Sequence, residues 1–486
     1  MAARPSSTLA AAALLLAPLL ALAANPLVAN VGQADPHIHF WPEANAFFLY
    51  STHDYSPNNT GFRMDDWRVW SSPDLRQWTL AATVYPNATP ALPADYHSCW
   101  ATDGAHKQEA DGSWSYFFYL SIGTCQVAVL KSTATPAGPW QNVLDAPLLN
   151  SSFGNSLQPK ACFRDPAVFE DDDGAHYLIS GVFDYYIMRL GADLVSIAEQ
   201  PRLVTVLNPT GPYGNSTDDK PFIHKANGLY YLSWGCFYGT ASSVYGPYTF
   251  QGSAIDTAFL APDFRTNSTS GPWYSHEDLA DRHGSFWTNA GGQWFYASND
   301  RSHSTDVADR GVYRDTVIGY VHYYANNSIA PVVIDATGVG EYRAAHVEAE
   351  NFMHMSGGGG VGKLHLPARG DAFVVAVRDA RGASLHYPHV AGAGTSLALV
   401  AANAGARGVT VVARRGAAAG PVLARCAVAP SGGAFVRVGC ALELAAGDAA
   451  DLDLVLTFEA QQAAAAGEAT QEEPLALLLD SFALAE

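Results

Sequence analysis

Three aspartates stand just ahead of runs rich in aromatic and β-branched residues. They are Asp35 in Ala34-Asp35-Pro36, Asp165 in Arg164-Asp165-Pro166 and Asp219 in Asp218-Asp219-Lys220-Pro221. Carboxyl groups in such a set can hydrolyse an acetal. An ionised one activates water, a protonated one gives its proton to the leaving oxygen, and a third raises the second one's pKa by like-charge repulsion. The competing reading is local, because an Asp before Pro commonly caps a turn. Either reading serves one aspartate; three in similar settings favour a shared site.

The elements that must position them repeat. With Asp35, Trp100, Asp165, Asp219 and His283 as anchors, the intervals are 65, 65, 54 and 64 residues. Each anchor precedes two strand-like runs, and their links carry hairpin residues (EDDDGAH, KANGLYY, NAGGQW). Several units continue with a further strand pair near a Trp, as in SSPDLRQW. The pattern lacks helical periodicity and predicts an all-β fold, with a five-bladed β-propeller over residues 25–340. Asp35, Asp165 and Asp219 would then be equivalent strand starts facing one central funnel.

Composition changes at about residues 336–345. Beyond it there is no Trp and no Lys after Lys363, while Ala, Gly and Val abound. Runs such as AFVVAV, SLALVAA, VTVVARR and DLDLVLTF predict a β-sandwich of jelly-roll type over residues 345–486. Residues 461–470 (QQAAAAGEAT) read as a low-complexity insert.

The chain carries 27 basic and 46 acidic side chains among 486 residues, a net charge of −19. That balance argues against nucleic acid or an anionic membrane as partner. Arg4, the apolar run at residues 9–22 and Ala21-Leu22-Ala23 read as a secretory signal over residues 1–24. An uncleaved anchor is the alternative, and no later stretch could span a bilayer. Sequons at Asn58, Asn87, Asn150, Asn215, Asn267 and Asn326 agree with a secreted, extracellular chain. Six cysteines then favour disulfides: Cys426 and Cys440 would bridge a hairpin, and the pairing of the other four stays open.

Over about residues 26–340 the chain resembles glycoside hydrolase family 43, the five-bladed arabinanases, α-L-arabinofuranosidases and β-xylosidases. The motifs that carry the resemblance are Ala34-Asp35-Pro36, FRDPAVFEDDDGAHYLISG (163–181) and KPFIHKANGLYYLSWG (220–235). It implies an inverting mechanism with Asp35 as general base, Asp165 as pKa modulator and Asp219 as general acid. The family's Glu-Gly-Pro is here Asp-Lys-Pro. An Asp carboxyl sits about 1 Å farther back, and a misplacement of that size can cost about a hundredfold. Lys220 beside the acid would also lower its pKa. Either the site is rebuilt so that Asp219 reaches, which is the favoured reading, or Asp218 takes the role, or the protein binds sugar without cleaving it.

The same resemblance places His283 near an ion in the central channel; a buried structural histidine is the alternative. Arg301 and Arg314 are candidate substrate clamps, against the simpler reading as ion pairs. Trp100 and Phe163 are candidates for stacking on a sugar, against packing between blades. The C-terminal part resembles a family 6 carbohydrate-binding module, through Val347-Glu348-Ala349-Glu350-Asn351-Phe352 and LLLDSFAL (477–484). That implies a structural calcium held by Glu348, Glu350 and Asp480. The lack of Trp leaves Tyr387 as the main ring for stacking, in a stretch that also suits a core strand, so the module reads as structural or sugar-binding.

The expected activity is hydrolysis of O-glycosidic bonds in arabinose- or xylose-containing polysaccharides or oligosaccharides. No cofactor is required for the chemistry, and the oligomeric state is open. A silent carbohydrate-binding protein is one alternative. The other is a fructan hydrolase, since Phe163-Arg164-Asp165-Pro166 is similar to that group's Arg-Asp-Pro motif. That group's Asn-Asp-Pro-Asn-Gly and Glu-Cys motifs are missing.

Overall fold

The computed structural model describes residues 25–485 apart from 30, 56–61, 90–91, 93–95, 123–124, 266–278, 280, 290, 303–312, 371 and 461–476. The expected signal, the low-complexity insert and the sequons at Asn58 and Asn267 lie outside the described residues. Regular structure is almost wholly strand. One short helix, Ser151–Asn155, is capped by the Asn150 side chain, which accepts from the Phe153 N–H at 2.9 Å. No helix among the described residues is long and apolar enough to cross a membrane.

Five antiparallel sheets follow one another along the chain. Their first strands are Gln33–Trp41, Trp100–Gln108, Ala167–Glu170, Pro221–Ala226 and Gly284–Thr288. The first four sheets are meanders of four strands, and Val206–Leu207 joins the fourth by pairing in parallel with Tyr248–Ser253. The fifth has three strands. Local chemistry sets the hairpins. Asn227 and Gly228, with φ of 52° and 76°, make a two-residue turn between Pro221–Ala226 and Leu229–Trp234. Only residues tolerant of positive φ suit that turn.

Each first strand lies against the first strand of the next sheet, and that of the fifth lies against that of the first. The chain's entry is bound to the fifth sheet. The Asn25 amide donates to the Ile318 carbonyl at 2.8 Å and accepts from the Ile318 N–H at 2.7 Å.

From Tyr342 onward the chain forms two sheets of six strands. One is built around Ser384–Ala391, Leu452–Ala460 and Val409–Arg415, the other around Ala372–Val377, Leu477–Ala485 and Ser396–Asn403. Alternate residues of both, among them Leu385, Leu399, Val411, Leu454 and Phe482, share a buried core. That core does not stop at the domain boundary. Ile38, Trp70, Trp287, Phe295 and Ile318, from the first and fifth sheets, belong to it too. Asn289 bonds the Met353 carbonyl across the same seam. Gly291 packs so closely there that a Cβ would stand 2.4 Å from the His354 ring.

Cys426 and Cys440 are bonded, as expected, but not across one hairpin. Their strands, Val422–Val428 and Phe435–Ala441, belong to different sheets, so the bond clips the two sheets together. Cys125 pairs with Cys162, and Cys99 and Cys236 are buried free thiols.

Candidate active site

A cavity of about 300 Å³ opens where the first strands begin. Asp35, Asp165, Asp218, Asp219, Asp281 and His283 line it, with Arg164, Arg314, Trp100, Phe62, Met64 and Tyr213. The three aspartates read from the sequence therefore meet at one place.

Their registers differ from the sequence expectation. Asp35, Asp165 and Lys220 each precede a proline at the head of a first strand, with φ of 52°, 53° and 55°. The equivalent of Asp35 and Asp165 in the fourth sheet is thus Lys220, and Asp219 sits one residue earlier. Successive side chains of an extended segment point opposite ways. Asp219 faces the cavity with its side chain 30% exposed, while Lys220 turns inward and is buried.

Asp35 is held by four contacts. Its N–H donates to the Asn299 side-chain oxygen at 2.7 Å. Its Oδ1 accepts from Asn299 Nδ2 at 3.1 Å and Arg314 Nη1 at 3.2 Å, and His283 Nδ1 lies 3.1 Å away. Burial pushes its pKa up, but Arg314 above all, then His283 and Lys220, outweigh burial and hold the carboxyl well below the usual range. Asp35 is ionised at any working pH.

Asp165 is the opposite case. Its N–H donates to Ser121 Oγ at 2.6 Å, and the Lys220 N–H donates to its Oδ2 at 3.3 Å. Burial, then the neighbouring charge of Asp219, push it up to about 7, against the pull of Arg164. For Asp219, burial raises the pKa, but His283, whose Nε2 is 2.7 Å from its Oδ1, outweighs burial and brings it below the ordinary value. Of the two, Asp165 is the carboxyl that keeps a proton to about neutral pH, and the negative charge of Asp219 is part of the reason. Burial and Asp219 also raise Asp218, to about 6. Asp218 Oδ1 accepts from the Asp219 N–H at 2.8 Å.

His283 sits among four carboxylates: Asp35 and Asp281 on Nδ1, Asp218 and Asp219 on Nε2. Burial opposes its charge, but Asp219, Asp218 and Asp35 raise its pKa well above the usual value. Two clusters have ligand atoms close enough for a cation, Asp35–Asp281–His283 and Asp218–Asp219–His283. Both rely on the same imidazole. Gly284 follows because the strands close tightly there; a Cβ would stand 1.8 Å from the Ala297 carbonyl oxygen.

The candidate clamps and stacking residues part company. Arg314 forks onto Asp54, through Nε at 2.9 Å and Nη2 at 3.0 Å, and reaches Asp35 and Asp281 with Nη1. It lines the cavity while pairing with three carboxylates. Arg301 is outside the cavity lining, with Nη1 3.9 Å from Asp281 Oδ2. Trp100 lines the cavity under the Arg164 guanidinium, 5.2 Å from its ring centre. Phe163 does not: it is fully buried, packed on Phe153 and Tyr186.

In the C-terminal sheets, Asp480 pairs with Arg369 at 2.9 and 3.2 Å, and Glu348 with His346 at 2.9 Å. Glu350 is buried, and burial pushes it up to about 8, toward the neutral form. Among the described residues the three do not form a group with ligand atoms close enough together for one ion. Tyr387 is fully buried and its hydroxyl donates to the Ala349 carbonyl at 2.7 Å, so it presents no stacking face.

Sequence reasoning missed Asn299, Asp281, Asp54 and Arg164. Asn299 lies in the same Asn299-Asp300-Arg301 stretch from which Arg301 was chosen. Asp281 lies two residues before His283, and Arg164 one before Asp165.

Residues 23–327 match the family described as glycosyl hydrolases family 43. A β-D-galactofuranosidase from Aspergillus niger is 29% identical over 336 residues, covering 64% of this chain and 88% of its own. An arabinoxylan arabinofuranohydrolase from Paenibacillus polymyxa is 27% identical over 463 residues, covering 84% of this chain and 68% of its own. Among solved structures, a family 43 arabinoxylan arabinofuranohydrolase from Bacillus subtilis in complex with cellotetraose is similar in fold. Its TM-score is 0.53 at 21% identity, with 95% of this chain and 97% of that one covered. The family match spans well over half of the chain and takes in all the carboxylates around the cavity, so the chain belongs to glycosyl hydrolases family 43 and is a glycosidase that hydrolyses O-glycosidic bonds.

Proposed function

We propose that this glycosidase inverts configuration and releases α-L-arabinofuranosyl or β-D-xylosyl units from arabinose- or xylose-containing polysaccharides and oligosaccharides. The observation that carries the reading is the division of labour in one cavity. Asp35 is kept ionised by Arg314, while a proton is retained on the Asp165–Asp219 pair. In this mechanism Asp35 takes a proton from water as that water attacks the anomeric carbon. Asp219, the more exposed of the pair, gives its proton to the leaving oxygen, and Asp165 keeps that proton available through its charge. No step uses a metal ion.

The circular adjacency of the five first strands supports a five-bladed propeller, and the shared core of the two C-terminal sheets supports a β-sandwich. Buried Tyr387 favours a structural role for that sandwich over sugar binding. The N-terminal apolar run, the sequons and the two disulfides support secretion. A β-D-galactofuranoside is the second substrate reading, motivated by the Aspergillus niger relative. It shares its ring configuration with α-L-arabinofuranose.

The test is sugar release by the mature protein from aryl α-L-arabinofuranoside, β-D-xyloside and β-D-galactofuranoside and from arabino- and xylo-oligosaccharides. Proton NMR would read the anomer of the first product. Inverted product from the arabinofuranoside or xyloside, lost in Asp35→Asn, supports the reading. Retained configuration, or oligosaccharide binding without turnover, overturns it.

A further inference from the structure

The turn between the second and third strands of the third sheet holds a residue that the mechanism does not use. Val182 pairs with Asp184 across that turn, and Phe183 is its tip. Its φ is 60°, a left-handed backbone that suits glycine and strains a bulky side chain. The corresponding turn of the fourth sheet, between Leu229–Trp234 and Phe237–Ala241, places Gly235 at such an angle, with φ of 61°. Burial does little to offset the strain at Phe183, because the residue is 47% exposed. A strained residue whose packing does not explain it points to a function.

The turn is fastened to the segment that carries Asp219. The Phe183 N–H donates to the Asp218 carbonyl at 3.0 Å, and Thr217 Oγ1 donates to the Phe183 carbonyl at 2.6 Å. Tyr185, two residues on, donates its hydroxyl to the same Asp218 carbonyl at 2.6 Å. Beside the turn stands Tyr213, which lines the cavity and is itself 44% exposed. The two rings meet edge to face, with centres 5.6 Å apart. Tyr213 is held in a tight turn of its own, where the backbones of Gly211 and Gly214 bond each other at 2.9 and 3.2 Å. Two exposed rings thus continue the cavity wall outward, on the side of Asp219.

Asp219 is the group proposed to protonate the leaving oxygen, so whatever that oxygen carries lies on the same side of the cavity. A pyranose has an apolar face of C–H groups and a rim of hydroxyls. It can stack on aromatic rings at a cavity mouth while its hydroxyls stay in water. The carboxylates of the cavity disfavour an anionic occupant.

We propose that Phe183 and Tyr213 form a subsite for the leaving group, on which the sugar beyond the scissile bond stacks. The substrate is then an oligosaccharide or polysaccharide recognised on both sides of the bond, and the enzyme selects for a carbohydrate leaving group over a small alcohol. The inference rests on the role proposed above for Asp219.

The experiment uses the intact protein, freed of N-glycans by a deglycosylating enzyme. It is assayed on arabino- and xylo-oligosaccharides and on the matching glycosyl fluoride, whose leaving group is a single atom and reaches no subsite. Phe183→Asn suits the left-handed backbone and removes the ring. It should hold the wild-type Tm and lower the ratio of kcat/KM for oligosaccharide to kcat/KM for fluoride by about tenfold, mainly through KM. Phe183→Tyr keeps a ring and should restore the ratio. Tyr213→Ala should lower it by a similar factor, and it decides by the same ratio if Phe183→Asn does not fold. A ratio within about twofold of the wild type overturns the inference. So does an equal loss on both substrates, which would make the turn a support for Asp219. Asn215, two residues past Tyr213, is exposed and heads a sequon, so the chain's own glycan is the competing occupant. A Tm that falls on deglycosylation, in a protein whose ratio Phe183→Asn leaves unmoved, assigns the rings to that glycan and overturns the inference. If the wild type cleaves neither substrate, the functional reading fails separately. Calorimetric binding of the oligosaccharides to the wild type and Phe183→Asn then tests the subsite alone: affinity about tenfold weaker in the variant supports it, and equal affinity overturns it.

Discussion

Arg314 Nη1 lies 3.2 Å from Asp35 Oδ1, while the rest of its guanidinium forks onto both oxygens of Asp54. The base is therefore held by a residue that is itself locked by a fully buried carboxylate. Arg314→Lys keeps the charge and loses the fork. It should leave a folded protein whose kcat/KM on an aryl furanoside falls by about a hundredfold. Arg314→Met leaves buried carboxylates unpaired and should unfold the site, at a cost on the order of 3–5 kcal/mol. Kinetics and thermal denaturation of the pair separate the two effects.

Asp219 and its neighbour Asp218 differ in exposure and in what they can protonate. Asp219→Asn should slow cleavage of sugar leaving groups by about 10²–10⁴-fold and spare activated aryl leaving groups. Asp218→Asn should affect both substrate types alike, through the bond it makes to the Asp219 N–H. The opposite pattern would make Asp218 the acid.

The pH profile follows from the proton of the Asp165–Asp219 pair. Catalysis needs the Asp165–Asp219 pair singly protonated, so kcat/KM on oligosaccharides should fall above about pH 7, with a slope approaching tenfold per unit. Asp165→Asn removes the negative neighbour, which lowers the acid's pKa. The alkaline limb should move to lower pH.

Stability should also fall as pH rises. The folded pKa of Asp165, about 7, lies above its unfolded value of 3.8, so ionisation is harder in the folded protein. Stability is lost as pH rises through that window. Asp165→Asn should therefore raise Tm more at pH 8 than at pH 4, in a protein with impaired turnover. Thermal scans at the two pH values measure it.

Trp100 presents its ring to the cavity beneath Arg164. Trp100→Ala should raise KM for oligosaccharides by about tenfold, consistent with loss of one stacking contact, and change kcat less. Phe163→Ala should leave KM alone and lower Tm, because its ring is fully buried and packs on Phe153 and Tyr186.

Asp35 and Asp165 were legible because an Asp-Pro at a strand head is a local signature that survives folding. The five sheets were legible because strand alternation and turn residues repeat at a near-constant interval. The register of the fourth head was not. Asp219 and Lys220 are adjacent in sequence, and only the geometry of the strand start decides which faces the cavity and which the interior. Charge was misread for the same reason. Lys220 was expected to depress the acid, yet His283, more than sixty residues away, is the stronger partner of Asp219. Arg314 showed the residue type of a clamp, but its partner Asp54 lies 260 positions away. In the C-terminal sheets, Glu348, Glu350 and Asp480 matched a pattern by type, while Arg369 and His346 claimed two of them.

The core that runs from Ile38 and Trp287 into Leu385 and Phe482 bears on how the chain can be cut. A module that hangs on a tether can be gained, swapped or shed without injury to its host. The C-terminal sheets instead share one core with the first and fifth sheets, and a chain truncated near residue 340 would lay bare Trp287, Phe295 and Ile318.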